Sequence, residues 1–243
     1  MTGRRIMSDK RSGLAGGHLA GVLLSPLRLL CTAMLGGVLL LVLAWCVQVT
    51  MVRWVWPAGA EHLRQLLAIE LAQGHALAAL QGGSTGSIIG PANLLYFVVF
   101  EATGIHAMSL RFADARPLSI PDTVLRTAFL GHQELMETLM VATQLVGVRM
   151  AILVCYGPLL VLACGLGAAD GLVQRAIRKS CGGRESASLY HRAKHSQMVV
   201  LGLGAAALVL WPVVVEWRLY PVGLVALAAI GARTQWSNYK KYL

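Results

Sequence analysis

Long apolar runs separated by short polar stretches dominate the chain. The first run, residues 29–52, is bounded by Arg28 and Arg53, and as a helix it is long enough to cross a hydrocarbon core of roughly 30 Å. Three more runs follow at 150–169, 198–215 and 219–236. The pattern predicts an all-α, polytopic membrane protein with about four transmembrane helices.

The first run has a second interpretation, because a cleaved signal peptide is also apolar and N-terminal. Signal peptides have a shorter apolar region of roughly 7 to 15 residues and a small-residue cleavage site. The tetrapeptide Leu43-Ala44-Trp45-Cys46 resembles a lipoprotein cleavage box, but a bulky Trp precedes the Cys. We therefore interpret 29–52 as an uncleaved anchor.

The second run contains Gly157-Pro158, which predicts a kink there. Arg149 precedes this run, and its long stem can snorkel to the membrane interface; a functional intramembrane arginine is the alternative. The fourth run is short and rich in glycine and alanine. Aromatic residues of the kind that anchor a helix at membrane interfaces flank it at Trp217, Tyr220, Trp236, Tyr239 and Tyr242. If this segment instead lies flat on the membrane, the C-terminus is external.

Between the first two spans, residues 53–148 form a segment with helical rather than strand periodicity. From Glu61 to Gln81, leucines recur at helical spacing and predict an amphipathic helix that lies on the membrane or against a partner. A glycine- and serine-rich connector follows at 82–87, a short apolar helix is predicted at 94–100, and Pro121 is suited to the first turn of a long helix. A metal site is disfavoured, although carboxylates and an imidazole occur at His132, Glu134 and Glu137.

Glycines within the runs predict close helix packing rather than a nucleotide-binding loop. We expect this role of Gly36, Gly37, Gly202 and Gly204.

Charge then orients the predicted spans. Only 13% of the residues are charged and 56% are hydrophobic, against roughly 25% charged in soluble domains, which disfavours a soluble enzyme. The excess of basic over acidic residues lies in the N-terminus 1–28, the loop 170–197 and the tail 237–243. The segment 53–148, by contrast, has more acidic than basic residues. The positive-inside rule therefore predicts cytoplasmic termini and an external 53–148 segment.

The loop 170–197 carries the densest pattern of polar residues in the chain. It predicts two helices separated by Gly182-Gly183, which can close the first helix in a left-handed conformation, with Ser186 or Ser188 capping the second. Its candidate partner- or lipid-binding residues are Arg175, Arg178, Gly182, Gly183, Arg184, Glu185, Tyr190, His191, Arg192 and Lys194. Basic residues beside a membrane attract anionic headgroups or dock a protein. A metal pair of His191 and His195 is disfavoured, because no further ligand follows at useful spacing.

The same loop carries a family resemblance. The residues Asp170-Gly171-Leu172-Val173, Gly182 to Ser186 and Tyr190 to Lys194 resemble the signature of the integrating-conjugative-element inner-membrane proteins, a family defined by a domain of unknown function. The resemblance implies a bacterial inner-membrane component of a conjugative, type IV secretion-like apparatus. It implies no catalytic residue and no cofactor.

We therefore expect a non-enzymatic scaffold or adaptor, whose loop contacts anionic lipid and other membrane proteins of the apparatus, among them a coupling ATPase. A homo-oligomer is compatible with this role. The alternative is a small channel or transporter subunit, for which the spans offer few polar residues apart from Arg149. A membrane-embedded hydrolase lacks a motif, and the charge pattern makes direct contact with nucleic acid a weak hypothesis.

Overall fold

The computed structural model describes residues 5–84, 86–113, 120–182, 187–217 and 219–239. The regular structure of these residues is helical throughout. The helices, in chain order, are α1 (Arg5–Trp54), α2 (Ala60–Leu80), α3 (Gly86–Tyr96) continued by a π-helical turn (Phe97–Glu101), α4 (Ile105–Ala113), α5 (Ile120–Gly131), α6 (Gln133–Cys155), α7 (Gly157–Ser180), α8 (Ala187–Leu210) and α9 (Tyr220–Ser237).

The chain divides into two compact units. The first, Met1–Val42, contains most of α1, and the second, Leu43–Leu243, contains the rest of the protein. In the first unit the apolar side chains of 29–39 are exposed, with Leu29 at 74% and Leu35 at 71%. A helix with that much exposed apolar surface is typical of one that contacts lipid or a partner.

Within the second unit, α2 and α3 pack on α6 and form its hydrophobic core. Leu63 and Leu66 of α2 meet Leu145 of α6, and further along α6, Ile88 of α3 lies in one cluster with Ile152. The last turns of α1 join the same body, because the Trp45 indole N–H donates to the Thr143 hydroxyl over 2.9 Å.

The other half of the second unit is a bundle in which α9 packs on both α7 and α8. The contact with α7 is very close. A Cβ at Gly167 or Gly171 would lie under 3.0 Å from the carbonyl oxygens of Ala229 and Arg233. Only glycine fits at these two positions, so the two backbones touch along one face.

The predicted packing role of glycines is confirmed at one position of four. A Cβ at Gly204 would meet the Leu224 side chain at 2.6 Å, but Gly36, Gly37 and Gly202 have nothing within 4 Å of a built Cβ. For Gly202 the prediction is wrong, because this residue faces open space rather than a neighbouring helix. Gly36 and Gly37 lie in the first unit, whose described residues form a single helix, so for them it stays a prediction.

Several predicted helices occur where the pattern placed them. α2 runs from Ala60 to Leu80 with Leu63 and Leu66 buried. The expectation that this apolar face lies on the membrane or a partner is wrong, because α6 of the same chain covers it. Gly157-Pro158 separates two helices: α6 ends at Cys155, and α7 begins with Pro158 in its first turn. The run 150–169 is consequently divided between α6 and α7. Upstream, the long helix expected after Pro121 is interrupted at His132, between α5 and α6.

The described residues of the loop 170–197 are the end of one helix, a turn at 181–182 and the start of the next helix, and both helices extend beyond the loop. Residues 170–180 continue α7, and 187–197 continue into the predicted third span as the single helix α8. That helix ends at Leu210 rather than 215, since Pro212 cannot extend it.

Trp217 was expected at the membrane interface as an aromatic anchor, and this expectation is wrong. Its side chain is 3% exposed and lies in the hydrophobic core, and its carbonyl oxygen accepts from the Tyr156 hydroxyl. Tyr220 and Trp236 are partly exposed, while Tyr242 lies outside the described residues.

Four described helices are long and apolar enough to cross a membrane, judged by length and composition. They are Arg28–Trp54, Gln133–Cys155, Gly157–Ser180 and Leu189–Leu210. A bent pair, Gly86–Glu101 with Ile105–Phe112, meets the same criterion when its two arms, inclined by 71°, are taken together. α9 does not reach this hydropathy, so its assignment as a span stays a prediction.

Candidate functional site

The C-terminal ends of α7 and α9 and the N-terminal end of α8 converge on one side of the bundle. One guanidinium N–H of Arg178, in α7, donates a hydrogen bond to the Asn238 side-chain oxygen over 3.2 Å. A second donates to the Ser237 carbonyl oxygen. The last carbonyls of a helix lack intrahelical donors and carry partial negative charge. Arg178 therefore caps α9 and ties its end to α7.

Tyr239, just past α9, collects aromatic and cationic side chains around its ring. The guanidinium carbon of Arg175 lies 5.5 Å from the ring centroid, within the range of a cation–π contact. The rings of Tyr190 and Trp236 lie 5.6 Å away by centroid distance. We name Arg175, Arg178, Tyr190, Trp236 and Tyr239 the Tyr239 cluster.

The structure therefore brings together three of the ten predicted site residues, Arg175, Arg178 and Tyr190, in this cluster. Two neighbours on α8, His191 and Arg192, are exposed, and Lys194 is half-buried. His191 stacks edge-on against Tyr190, with ring centroids 5.3 Å apart. The cluster is thus bordered by polar side chains that face outward from α8.

The turn between α7 and α8 contains the remaining predicted site residues. Gly182 has φ of 72°, the left-handed conformation predicted for it, and its N–H donates to the Lys179 carbonyl oxygen over 3.3 Å. Gly183, Arg184 and Glu185 lie outside the described residues, as does the predicted cap Ser186. The other predicted cap, Ser188, falls inside α8, which begins at Ala187.

Sequence reasoning assigned Trp236 and Tyr239 to a membrane interface and missed their role in this cluster. It also missed the ion pair between Arg233 of α9 and Asp170 of α7, at 2.6 Å, where both side chains are half-exposed. Tyr239 and Arg175 are far apart in sequence, so no local spacing indicates that they meet. The aromatic and basic character of both chain segments was the available signal.

A second polar centre lies at the opposite end of α8. The side chains of Arg149 and Glu70 are both fully buried and form a two-point ion pair, with nitrogen–oxygen distances of 2.5 and 2.8 Å. The same guanidinium donates to carbonyl oxygens beyond and within the last turn of α8, those of Leu208, Val209, Trp211 and Val213. The expectation that Arg149 snorkels to the membrane interface is wrong, because its charge is satisfied inside the protein.

The carboxylates that suggested a metal site have a different role where the structure pairs them. Glu137 forms an ion pair with Arg64 of α2. Arg64 also pairs with Glu61, with 3.2 Å between the guanidinium nitrogen and the carboxylate oxygen. Glu137 therefore joins α6 to α2.

Comparison with known proteins identifies the family. No curated protein and no solved structure matches the chain. The profile of a family described as "IncC plasmid conjugative DNA transfer protein DtrJ-like" matches residues 54–240. This range contains both polar centres and helices α2 to α9, and it confirms the association with conjugative transfer that the α7–α8 turn implied. The chain belongs to the DtrJ-like family of conjugative DNA transfer proteins.

Proposed function

We propose that this conjugative transfer protein is a non-enzymatic inner-membrane scaffold or adaptor. In this role, α1, α7, α8 and α9 cross the membrane with both termini in the cytoplasm. The cytoplasmic ends of α7, α8 and α9 dock a partner, for which a coupling ATPase of the transfer apparatus is our candidate. The helices of 53–156 then form an external body that contacts other components of the apparatus.

Differences in burial among the apolar helices support this choice of spans. The apolar segment of α6 is 61% buried inside the protein, against 11% for α1, 6% for α7 and 17% for α8. The hydrophobicity of α6 is therefore accounted for by its own core, whereas the apolar surfaces of the other three need an apolar environment outside the chain. Lipid provides that environment along the length of each helix.

α9 is included because it packs along α7. Gly167 and Gly171 of α7 allow the backbone of α9 to approach closely, and Arg178 holds its C-terminal end. Because α9 is held to α7 both along its length and at its C-terminal end, it crosses the membrane wherever α7 does. Its modest hydropathy is tolerable because one of its faces is covered by protein.

The observation that carries the docking proposal is the Tyr239 cluster. Three helix ends are held together there by Arg178, by the Arg175–Tyr239 contact and by the Tyr190–Tyr239 contact. Exposed His191 lies at the edge of this platform. Aromatic and arginine side chains on a rigid base are typical of the residues that dominate protein–protein binding energy.

Recovery of partners from native membranes tests the docking proposal. We expect His191→Asp, and separately a combined change of Arg184 and Glu185 to Ala, to reduce both partner recovery and DNA transfer while membrane levels stay normal. His195→Asp is the matched control, since His195 is also exposed but lies one turn further along α8, away from Tyr190, which His191 contacts. If partner recovery and transfer survive in the His191 and Arg184/Glu185 variants, docking through this end is wrong.

A further inference from the structure

A groove of about 390 Å³ runs along the surface between α8 and α9. The residues of α8 that line it include Arg192, Ser196 and Val200, which are four apart and therefore lie on one face of the helix. Along this face the chemistry changes in order from a guanidinium to a hydroxyl to a branched aliphatic side chain. Past Leu189, which also lines the groove, the α8 wall is thus polar at Arg192 and Ser196 and apolar at Val200.

α9 repeats this gradient from the other wall. The two helices are antiparallel at this contact, because Gln197 of α8 donates to the Ala228 carbonyl oxygen over 3.3 Å and Gly204 faces Leu224. Thr234 consequently lies towards Arg192 and Ser196, while Leu227 lies towards Val200. Leu227 and Ile230 line the apolar end with 55% and 60% of their surfaces exposed.

The polar end of the groove carries positive charge that the described residues do not neutralise. Arg192 forms no ion pair with any described residue, and none of the described residues lining the groove is acidic. The Ser196 and Thr234 hydroxyls donate to carbonyls of their own helices, which leaves their oxygens as acceptors. A guanidinium suits a phosphate because it can donate two parallel hydrogen bonds.

The length of the groove fits the phosphate, the glycerol backbone and the first part of one acyl chain of a lipid. From Leu189 to Val200, both of which line it, α8 rises about 16 Å at roughly 1.5 Å per residue. With the phosphate at Arg192, the glycerol backbone would lie near Ser196, and about 6 Å of the groove, from Ser196 to Val200, would remain for the first part of one acyl chain. The order of phosphate and acyl chain in a phospholipid matches the change from the Arg192 guanidinium to the Val200 side chain along α8.

We propose that the α8–α9 groove is a binding site for a phospholipid with an anionic headgroup. The phosphate pairs with Arg192, and one acyl chain lies against Val200, Leu227 and Ile230. The site rests on the proposed membrane insertion of α8 and α9, but not on partner docking. It makes a specific lipid part of the α8–α9 surface next to the Tyr239 cluster.

Lipid binding to the purified full-length protein tests this site. Labelled phosphatidylglycerol is titrated in detergent against wild type, Arg192→Gln and Lys194→Gln, with phosphatidylcholine as the zwitterionic lipid and glycerol phosphate as a headgroup without chains. Removing one cation at a membrane surface weakens anionic lipid binding about fivefold, and we expect this loss for Arg192→Gln. Lys194→Gln, the same charge change two residues away and outside the groove lining, should bind as wild type.

Filling the groove provides an independent arm. Ser196 is exposed, so Ser196→Trp should fold and should displace the acyl chain; Thr234→Trp, on the opposite wall, is the second variant if the first is unstable. Both should lose phosphatidylglycerol binding. Equal loss in Arg192→Gln and Lys194→Gln, unchanged binding after both Trp substitutions, or full competition by glycerol phosphate would each overturn the site.

These results separate the lipid site from the docking proposal. Lipid binding is measured on the isolated protein, whereas docking is measured by partner recovery and transfer with His191 and Arg184/Glu185 variants. Loss of lipid with normal partner recovery supports the groove alone. Normal lipid binding with lost recovery in the His191 variant supports docking alone.

Discussion

The carboxylate of Glu70 receives two hydrogen bonds from the guanidinium of Arg149, at 2.5 and 2.8 Å, and neither side chain reaches the surface. Glu70 belongs to α2 and Arg149 to α6. The pair therefore joins two helices through their buried faces, and the other buried residues of α2, such as Leu66 and Gly74, are apolar or glycine.

The guanidinium also reaches a third helix. Pro212 ends α8, so the last carbonyl oxygens of this helix lack backbone donors. Arg149 donates hydrogen bonds to two of them, the carbonyl oxygens of Leu208 and Val209, over 3.1 and 3.2 Å. A positive charge at this C-terminal end also interacts favourably with the helix dipole. One side chain thereby connects the body formed by α2, α3 and α6 to the end of α8.

Arg149→Met should strongly destabilise the protein. It leaves the Glu70 carboxylate buried and unpaired, which typically costs about 3–5 kcal/mol. Adding Glu70→Leu removes the stranded charge, so the double variant should recover part of that loss. Unfolding of the purified protein in detergent, followed by circular dichroism, measures both.

Arg64→Met is the matched control, since Arg64 also links α2 to α6 but is 55% exposed in its side chain. Exposed pairs contribute about 0–1 kcal/mol. A double variant that is no more stable than Arg149→Met would show that lost capping of α8, rather than the stranded carboxylate, causes the destabilisation.

Gly167→Ala and Gly171→Ala should separate α7 from α9. In each case the new methyl group would lie under 3.0 Å from a backbone carbonyl oxygen of α9, which cannot move without displacing the helix. Gly165→Ala is the control, because nothing lies within 4 Å of a Cβ there, and alanine favours a helix by up to about 1 kcal/mol over glycine.

Thermal unfolding in detergent, together with cysteine crosslinking between α7 and α9, checks this prediction. We expect lower stability and weaker crosslinking for the changes at Gly167 and Gly171, and equal or higher stability for the change at Gly165. Equal behaviour of all three variants would contradict the close contact.

These contacts also show where the sequence is informative. The leucine spacing of α2 predicted its bounds and its buried face because amphipathic periodicity is a local property. Gly182 predicted a turn, and Gly157-Pro158 predicted a kink where the structure has a boundary between two helices. Both signals are local as well, since glycine and proline release or restrict the backbone where they stand.

The polar centres depend instead on partners that are distant in the chain. Arg149 was recognised as unusual, but Glu70, 79 positions away, was counted only among the acids of the external segment. Glycine content likewise indicated close packing without showing which face meets a neighbour, so Gly167 and Gly171 were missed while Gly36 and Gly37 were named. Periodicity predicts that a face is buried, and tertiary structure decides what covers it.

Tyr239→Leu should loosen the end of α9. It removes the contacts with Arg175 and Tyr190, worth about 0.5–1.5 kcal/mol for an aromatic pair and about 0.5–1 kcal/mol for an exposed cation–π contact. Faster amide hydrogen exchange at 232–239, measured by mass spectrometry, is the expected result. Tyr220→Leu, at the other end of α9 and 44% exposed, should leave exchange at 232–239 unchanged; faster exchange there in both variants would contradict a local role for the cluster.

The side of the membrane on which each helix end lies is the last prediction. Arg178 holds Ser237 and Tyr190 contacts Tyr239, so the α7–α8 turn and the C-terminus have to share a compartment. The basic residues of the turn and tail predict that this compartment is the cytoplasm. The loop between α8 and α9 and the α2–α3 connector should then both be external.

Labelling of single cysteines by a membrane-impermeant reagent in intact cells, with the five native cysteines replaced, can decide this topology. Cysteine at Ser84 or Leu219 should react, whereas cysteine at Gly183 or Leu243 should react only after the membrane is opened. Leu219 is chosen because it is 74% exposed. Labelling of both Gly183 and Leu243 in intact cells would reverse the orientation drawn from charge but keep the α7–α9 packing. Labelling of only one of them would contradict the packing itself, because helix ends that touch cannot face opposite sides of a bilayer.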